Sequence, residues 1–309
     1  MKMSKSNFIF FGTPEVASKT LQILKENGFL PSLIITSPDR PQGRKMIITP
    51  PPVKMWAIEN NIPYLQPEDL RGGRNVVFES VAETGKPSMA NFQQKIMRDF
   101  KNNIPPELAI IVAYGKIIPE NIINMPKLGS INIHYSLLPK YRGASPVESA
   151  ILNSEIKTGV SIQQMEYKMD SGAVLACEET NILPDETTPE LRKRLIQIGG
   201  ELLVKILPKI LNGKIKAIPQ KEEDATFCKK IKKSDGEINL KNEPIKNYNK
   251  FRAYAEWPRT FFFENGKRII ITDALLEDGY FSIKRVLPES KKEIAYQEFL
   301  KTRKTNTWT

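Results

Sequence analysis

The chain reads as an α/β protein with a largely parallel sheet, followed by a smaller β-rich domain. Three observations predict this. Short apolar runs alternate with helix-patterned segments up to about residue 211. A polar stretch at 212–224 (NGKIKAIPQKEED) breaks the alternation. Beyond it the apolar runs are short and strand-like. A single core stops growing at about 250–300 residues, so 309 residues predict two domains. The expected division is 1–211, a linker at 212–224, and 225–309.

The elements follow in order. Residues 7–12 (NFIFFG) are a short apolar run ending in glycine, a first strand. Pro14 suits the first turn of the next helix, where the N–H that proline lacks is not needed. That helix reaches about Asn27, with Val16, Leu21 and Leu24 on one side. Residues 30–37 predict a second strand and 39–52 (DRPQGRKMIITPPP) a long proline-rich loop. A helix over 53–61 and a strand over 62–65 come next. Residues 71–104 are polar and irregular. The run 108–113 (LAIIVA) is apolar throughout, as a strand buried on both faces requires. Residues 130–134 give the next strand. Ser145, Pro146 and Glu148 predict a helix start, with Ser145 as N-cap and Glu148 closing a capping box. It runs to about Asn153. Strands at 160–167 and 173–180 flank Asp170-Ser171-Gly172. Thr188-Pro189-Glu190 opens a helix whose Leu191, Leu195, Ile198, Leu202, Ile206 and Ile210 keep three-to-four spacing. Pro208 predicts a kink in it. Strands at 269–272 and 279–286 mark the last part.

Composition narrows the function classes. Two cysteines, Cys177 and Cys228, argue against a disulfide scaffold and fit a reducing, cytoplasmic setting. The opening residues predict a strand rather than a secretion signal. No stretch approaches the ~20 apolar residues of a membrane helix. The formal charge is +11, which suits a polyanionic partner such as nucleic acid. Residues 225–309 alone carry 18 Lys+Arg against 11 Asp+Glu, so the small domain is the more basic per residue.

The only histidine, His134, ends the strand at 130–134. Side chains alternate along a strand, so Asn132 and His134 share one face while Ile131 and Ile133 take the other. Open α/β sheets bind ligands at the C-terminal ends of their strands. An amide there can donate to a developing oxyanion, and an imidazole can move a proton near neutral pH. Asp170, beside Ser171-Gly172, is an ordinary turn residue unless a partner such as His134 lies near it. One histidine and two distant cysteines cannot build the usual zinc site, so no metal is expected. The glycine motifs of phosphate loops, dinucleotide folds and serine-nucleophile elbows are missing.

With Asn132-Ile133-His134, Ser136-Leu137-Leu138-Pro139, Tyr141-Arg142-Gly143-Ala144-Ser145-Pro146 and the Asp170 turn, the chain resembles the folate-dependent formyltransferases. Further matches are Phe11 to Glu15 (FGTPE), Pro38 to Arg44 (PDRPQGR), Val112 to Gly115 (VAYG) and Ala255 to Pro258 (AEWP). The resemblance covers about residues 7–275. The Asn–x–His…Asp set is shared across the family, while the PDRPQGR and SLLPKYRGASP runs are more specific and point to the branch acting on charged initiator tRNA. It implies a Rossmann-like catalytic domain and an OB-like, tRNA-binding small domain. It implies formyl transfer from N10-formyltetrahydrofolate to the α-amine of initiator methionyl-tRNA, by a monomer that needs no metal and no membrane. Asn132 would hold the formyl oxygen. His134 would transfer a proton or stabilise the tetrahedral intermediate, and Asp170 would orient His134 or take the amine proton. The backbone of Ser136, Leu137, Leu138 and Pro139 would line the folate pocket. Arg44 and Lys45 would reach the acceptor stem. The sequence departs from the family at 72–104, which is long, and after Asp273, where the small domain is short. The run Lys229 to Lys233 (KKIKK) is a basic face, either an RNA contact or solvated. Two other readings are a formyltransferase for a small amine (a sugar nucleotide or glycinamide ribonucleotide) and a non-catalytic RNA binder.

Overall fold

A computed structural model describes residues 8–43, 45–70 and 106–304. Arg44 and the segment 72–104 set apart above lie outside these residues. The chain packs as two compact units that interleave in sequence. The first takes Met1–Pro139, Val160–Glu178 and Leu195–Ala225; the second takes Lys140–Gly159, Glu179–Arg194 and Thr226–Thr309.

The first unit is built on a seven-stranded sheet. Its strands are β1 (Phe8–Gly12), β2 (Leu33–Ile35), β5 (Tyr64–Leu65), β6 (Leu108–Val112), β7 (Ser130–His134), β9 (Lys157–Gln164) and β10 (Val174–Asn181). Their spatial order is β10-β9-β7-β6-β1-β2-β5. The pairs among β7, β6, β1, β2 and β5 are parallel, and β7 pairs β9 antiparallel. The predicted, largely parallel sheet is therefore present. β1 and β6 are buried at every position, which is why both sequences are unbroken apolar runs. Helix α1 (Glu15–Glu26) buries Ala17, Leu21, Ile23 and Leu24, and α2 (Pro52–Glu59) buries Val53, Trp56 and Ala57. The short α3 (Glu120–Ile123) precedes β7. In the long α5 (Thr188–Leu211), Gly199 permits close packing on the sheet. A Cβ there would lie 3.1 Å from Val160 and 3.2 Å from Ile133.

Two expectations need correction. Residues 39–52 are not a plain loop: β3 (Arg40–Gln42) and β4 (Ile47–Thr49) pair antiparallel as a hairpin. Gly43 at φ +69° and Met46 at φ +50° turn the chain, and β-branched Ile47, Ile48 and Thr49 favour the extended return. Pro41 is tolerated because a two-stranded ribbon is all edge. Second, Ser145 precedes α4 (Pro146–Leu152) without a side-chain cap bond, so the capping box is not made. Arg192 takes Glu148 instead, at 2.6 Å. A charge-assisted pair to a guanidinium is stronger than a neutral cap contact.

The second unit has its own core. β12 (Phe261–Glu264), β13 (Lys267–Glu277), β14 (Tyr280–Pro288) and β15 (Ile294–Ala295) form an antiparallel sheet in chain order. Ile238, Phe262, Ile269, Ile271, Ala274, Val286 and Phe299 fill that core, Phe299 coming from α7 (Tyr296–Lys304). Helix α6 (Pro244–Ala253) packs against α4 and β13. β8 (Arg142–Gly143) pairs parallel with β11 (Phe227–Cys228).

Candidate active site

The strand order places the site. β2 lies on one side of β1 and β6 on the other, so the chain reverses direction across the sheet between β1 and β6. A crevice forms at the C-terminal ends of the strands where such a reversal occurs. Register puts Gly12 beside Val112 and Ile111 beside Asn132, so the ends of β1, β6 and β7 are nearly level. Thr13 ties this rim: its hydroxyl donates to the Tyr114 carbonyl at 2.9 Å and lies 3.1 Å from Ser37 Oγ.

β7 delivers the predicted pair. Ile131 and Ile133 are buried in the core, while Asn132 is half-buried and His134 is 5 % exposed. Across the antiparallel pairing, His134 sits opposite Ser161 and Asn132 opposite Gln163. Directly opposite residues share a face, so four polar side chains from two strands meet there. Ser161 holds the loop after His134: its hydroxyl donates to the Ser136 carbonyl at 2.8 Å and accepts from Leu138 N–H at 3.0 Å. Ser136 is buried; Leu137, Leu138 and Pro139 are half-buried beside it.

Asp170 enters from the turn after β9, at φ +51°. Asp is among the few residues that adopt this left-handed conformation readily. Its Oδ2 lies 3.7 Å from His134 Nδ1. That is ion-pair range and longer than a hydrogen bond. Gln163 Nε2 donates to Asp170 Oδ1 at 2.9 Å. Gln220 Nε2 donates to the carbonyls of Asp170 at 2.9 Å and Gly172 at 2.7 Å, and lies 3.2 Å from Gln163 Oε1. Gly172 leaves no room for a side chain, since a Cβ would overlap the Gln164 carbonyl. His134 and Asp170 thus come together from separate segments. Gln163, Ser161 and Gln220 gave no signal of their own: strand alternation could have found the first two once β9 was paired with β7, but not Gln220.

Lys45 lies elsewhere, exposed at the tip of the β3–β4 hairpin with Met46, Ile47 and Ile48, which are 62–70 % exposed. The hairpin's base is fixed at Asp39. Burial alone would raise this carboxyl, but hydrogen bonds from Gln66 (2.7 Å) and Lys54 (2.7 Å) outweigh it and hold it below its usual value. The phenol of Tyr114 is pushed up by burial, with the Asp69 charge adding to it, and does not titrate near neutral pH. Among the described residues no group of His, Cys, Asp and Glu could hold a metal ion, and no helix is long and apolar enough to cross a membrane.

Comparison with known proteins agrees with this architecture. The family model for formyl transferase matches residues 4–207, and that for the formyl transferase C-terminal domain matches 230–294. The methionyl-tRNA formyltransferase of Sulfurihydrogenibium sp. (strain YO3AOP1) is 38 % identical over 86 % of this chain and 79 % of its own. That of Thermodesulfovibrio yellowstonii is 34 % identical over 97 % of both chains. Among solved structures, a 4-N formyltransferase from Francisella tularensis superimposes with a TM-score of 0.61 at 19 % identity, covering 86 % of this chain and 96 % of the other. An N-formyltransferase from Helicobacter canadensis, in complex with folinic acid and dTDP-3-aminofucose, gives 0.59 at 16 %, covering 88 % and 89 %. At these identities the likeness to the solved structures is one of fold. The chain belongs to the formyl transferase family, among the methionyl-tRNA formyltransferases.

Proposed function

We propose that the chain formylates the α-amine of methionine on initiator tRNA, with N10-formyltetrahydrofolate as donor. The observation that carries the chemistry is the approach of Asp170 to His134 beside Asn132. The acceptor rests on likeness to methionyl-tRNA formyltransferases along nearly the whole chain. When bound, the folate supplies the formyl carbon. The half-buried Leu137, Leu138 and Pro139 would pack on it.

The residues divide the work. Asn132 donates its amide N–H to the formyl oxygen as negative charge grows there. Asp170 Oδ2 faces His134 Nδ1, which favours the tautomer with its proton on Nδ1 and leaves Nε2 basic. Nε2 would then take the proton that the attacking amine must lose and return it to the folate N10 as the bond between N10 and the formyl carbon breaks, so that tetrahydrofolate leaves. Lys45 on the hairpin and the basic second unit contact tRNA phosphates. The test is an acceptor comparison, with and without the folate. Formylation of charged initiator tRNA supports the reading; turnover only on a sugar-nucleotide amine or glycinamide ribonucleotide, or tRNA binding with no turnover, refutes it. Affinity for tRNA falls as salt rises if phosphate contacts dominate, so a flat salt response speaks against the tRNA interface.

A further inference from the structure

We infer that Gln220, from the polar segment that follows α5, is a positioning residue for Asp170, and that it acts through a directed chain of amide hydrogen bonds. The inference rests on the formyl-transfer reading for its kinetic part only.

An amide side chain has one donor end and one acceptor end. Around Gln220 Nε2 stand three acceptors: the Asp170 carbonyl at 2.9 Å, the Gly172 carbonyl at 2.7 Å and Gln163 Oε1 at 3.2 Å. Its NH2 must therefore point at the turn. Because Gln163 receives at Oε1, its own NH2 faces Asp170 Oδ1, at 2.9 Å. Oδ1 is occupied by a donor, and the carboxylate is rotated so that Oδ2 is the oxygen facing His134 Nδ1, at 3.7 Å. One amide thus fixes both the turn's backbone and the orientation of the carboxylate. Asp tolerates the φ of +51° that the turn requires, and the two bonds from Gln220 to the turn's carbonyls pin it there. Gln220 is itself held in place by the paired backbone bonds between Ile218 and Val174, at 2.8 and 2.9 Å.

Three variants separate positioning from space-filling. Gln220→Ala removes the donor. Gln220→Glu keeps the volume but turns a carboxylate on three acceptors. Gln163→Met keeps the volume but cannot donate to Oδ1. Each is expected to lower kcat by about 10- to 100-fold, the range for a misplaced catalytic group. KM for charged tRNA stays within about twofold, as for an interaction made only in the transition state. Combining Gln163→Met with Gln220→Ala adds little further, because both break the same chain.

A second readout needs no turnover. The protein has one histidine, so ring 15N labelling of the untagged chain reports His134 alone. Both Gln220 variants and Gln163→Met are expected to move its Nδ1 and Nε2 resonances, while Lys216→Ala in the same segment leaves them in place. Ring resonances superimposable on wild type in Gln220→Glu, or a kcat near wild type in that variant, overturn the inference. A wild type that formylates no tRNA overturns the functional reading instead, and the ring resonances still decide the role of Gln220.

Discussion

Around Asp170, polar atoms from β7, β9 and the segment after α5 converge on one turn; along the β3–β4 hairpin, side chains stand in solvent. The hairpin follows β2, whereas the Asp170 turn follows β9, which runs antiparallel to β7. At the first, Gln163, Gln220 and Ser161 hold the groups beside His134 by hydrogen bonds of 2.7–3.0 Å. At the second, Arg40–Gln42 are exposed, Arg40 pairs with Glu68, and Lys54 and Gln66 hold Asp39 at the base. A reacting group must be placed to within a fraction of an ångström before substrate arrives. A surface that grips a large partner can gain its order on binding. If the hairpin grips tRNA as proposed, covering the exposed Met46, Ile47 and Ile48 would return up to about 1.5–3 kcal/mol per side chain.

The contrast is broken most sharply at the first region. His134→Ala or Asp170→Ala is expected to lower formyl transfer by about 10²- to 10⁴-fold, the usual yield of acid–base groups. A melting curve should stay within a few degrees of wild type, and near-wild-type turnover in either variant removes that residue from the reaction. Next comes Gly172→Ala. Its Cβ would overlap the Gln164 carbonyl, so we expect about 2–4 kcal/mol of destabilisation by denaturant titration, with a loss of kcat as the Asp170 turn shifts. An unchanged midpoint means the turn can yield.

At the hairpin the expected effect is smaller and of another kind. Replacing Ile47 and Ile48 together by serine should raise KM for charged tRNA about tenfold, roughly 1.4 kcal/mol, with kcat and melting temperature unchanged. A fall in kcat with KM unchanged makes the hairpin part of the chemistry. The smallest effect is electrostatic. The Asp39 carboxyl is depressed in the folded protein, so its contribution is fully present above its unfolded value near 4 and is lost as pH falls through the lower folded value. Acid melts of Lys54→Met should show a shallower loss of stability over that window than wild type; identical slopes mean that Lys54 does not hold Asp39.

Strand alternation alone paired Asn132 with His134, because the period of two is a property of the backbone and needs no tertiary knowledge. Asp170 was legible as a turn residue, and it is one. Its approach to His134 depends on β9 lying antiparallel beside β7, which the linear order does not announce. Gln220 was invisible for a stronger reason: a glutamine in a polar stretch looks the same whether it is solvated or holding two carbonyls. The failed capping box at Ser145 has the same origin. Local spacing offered Glu148 a near partner, and Arg192, more than forty residues on, supplied a better one. The hairpin at 40–49 was obscured by its prolines, which discourage strands in sheets but not in a two-stranded ribbon.

The most direct measurement offers purified protein and N10-formyltetrahydrofolate a choice of amines: charged initiator tRNA, a sugar-nucleotide amine and glycinamide ribonucleotide. The expected result is formyl transfer to the methionyl α-amine of the tRNA, abolished by His134→Ala and lowered in catalytic efficiency, at unchanged kcat, by the Ile47/Ile48 serine variant. Transfer to a small amine with charged tRNA left unformylated contradicts the assignment.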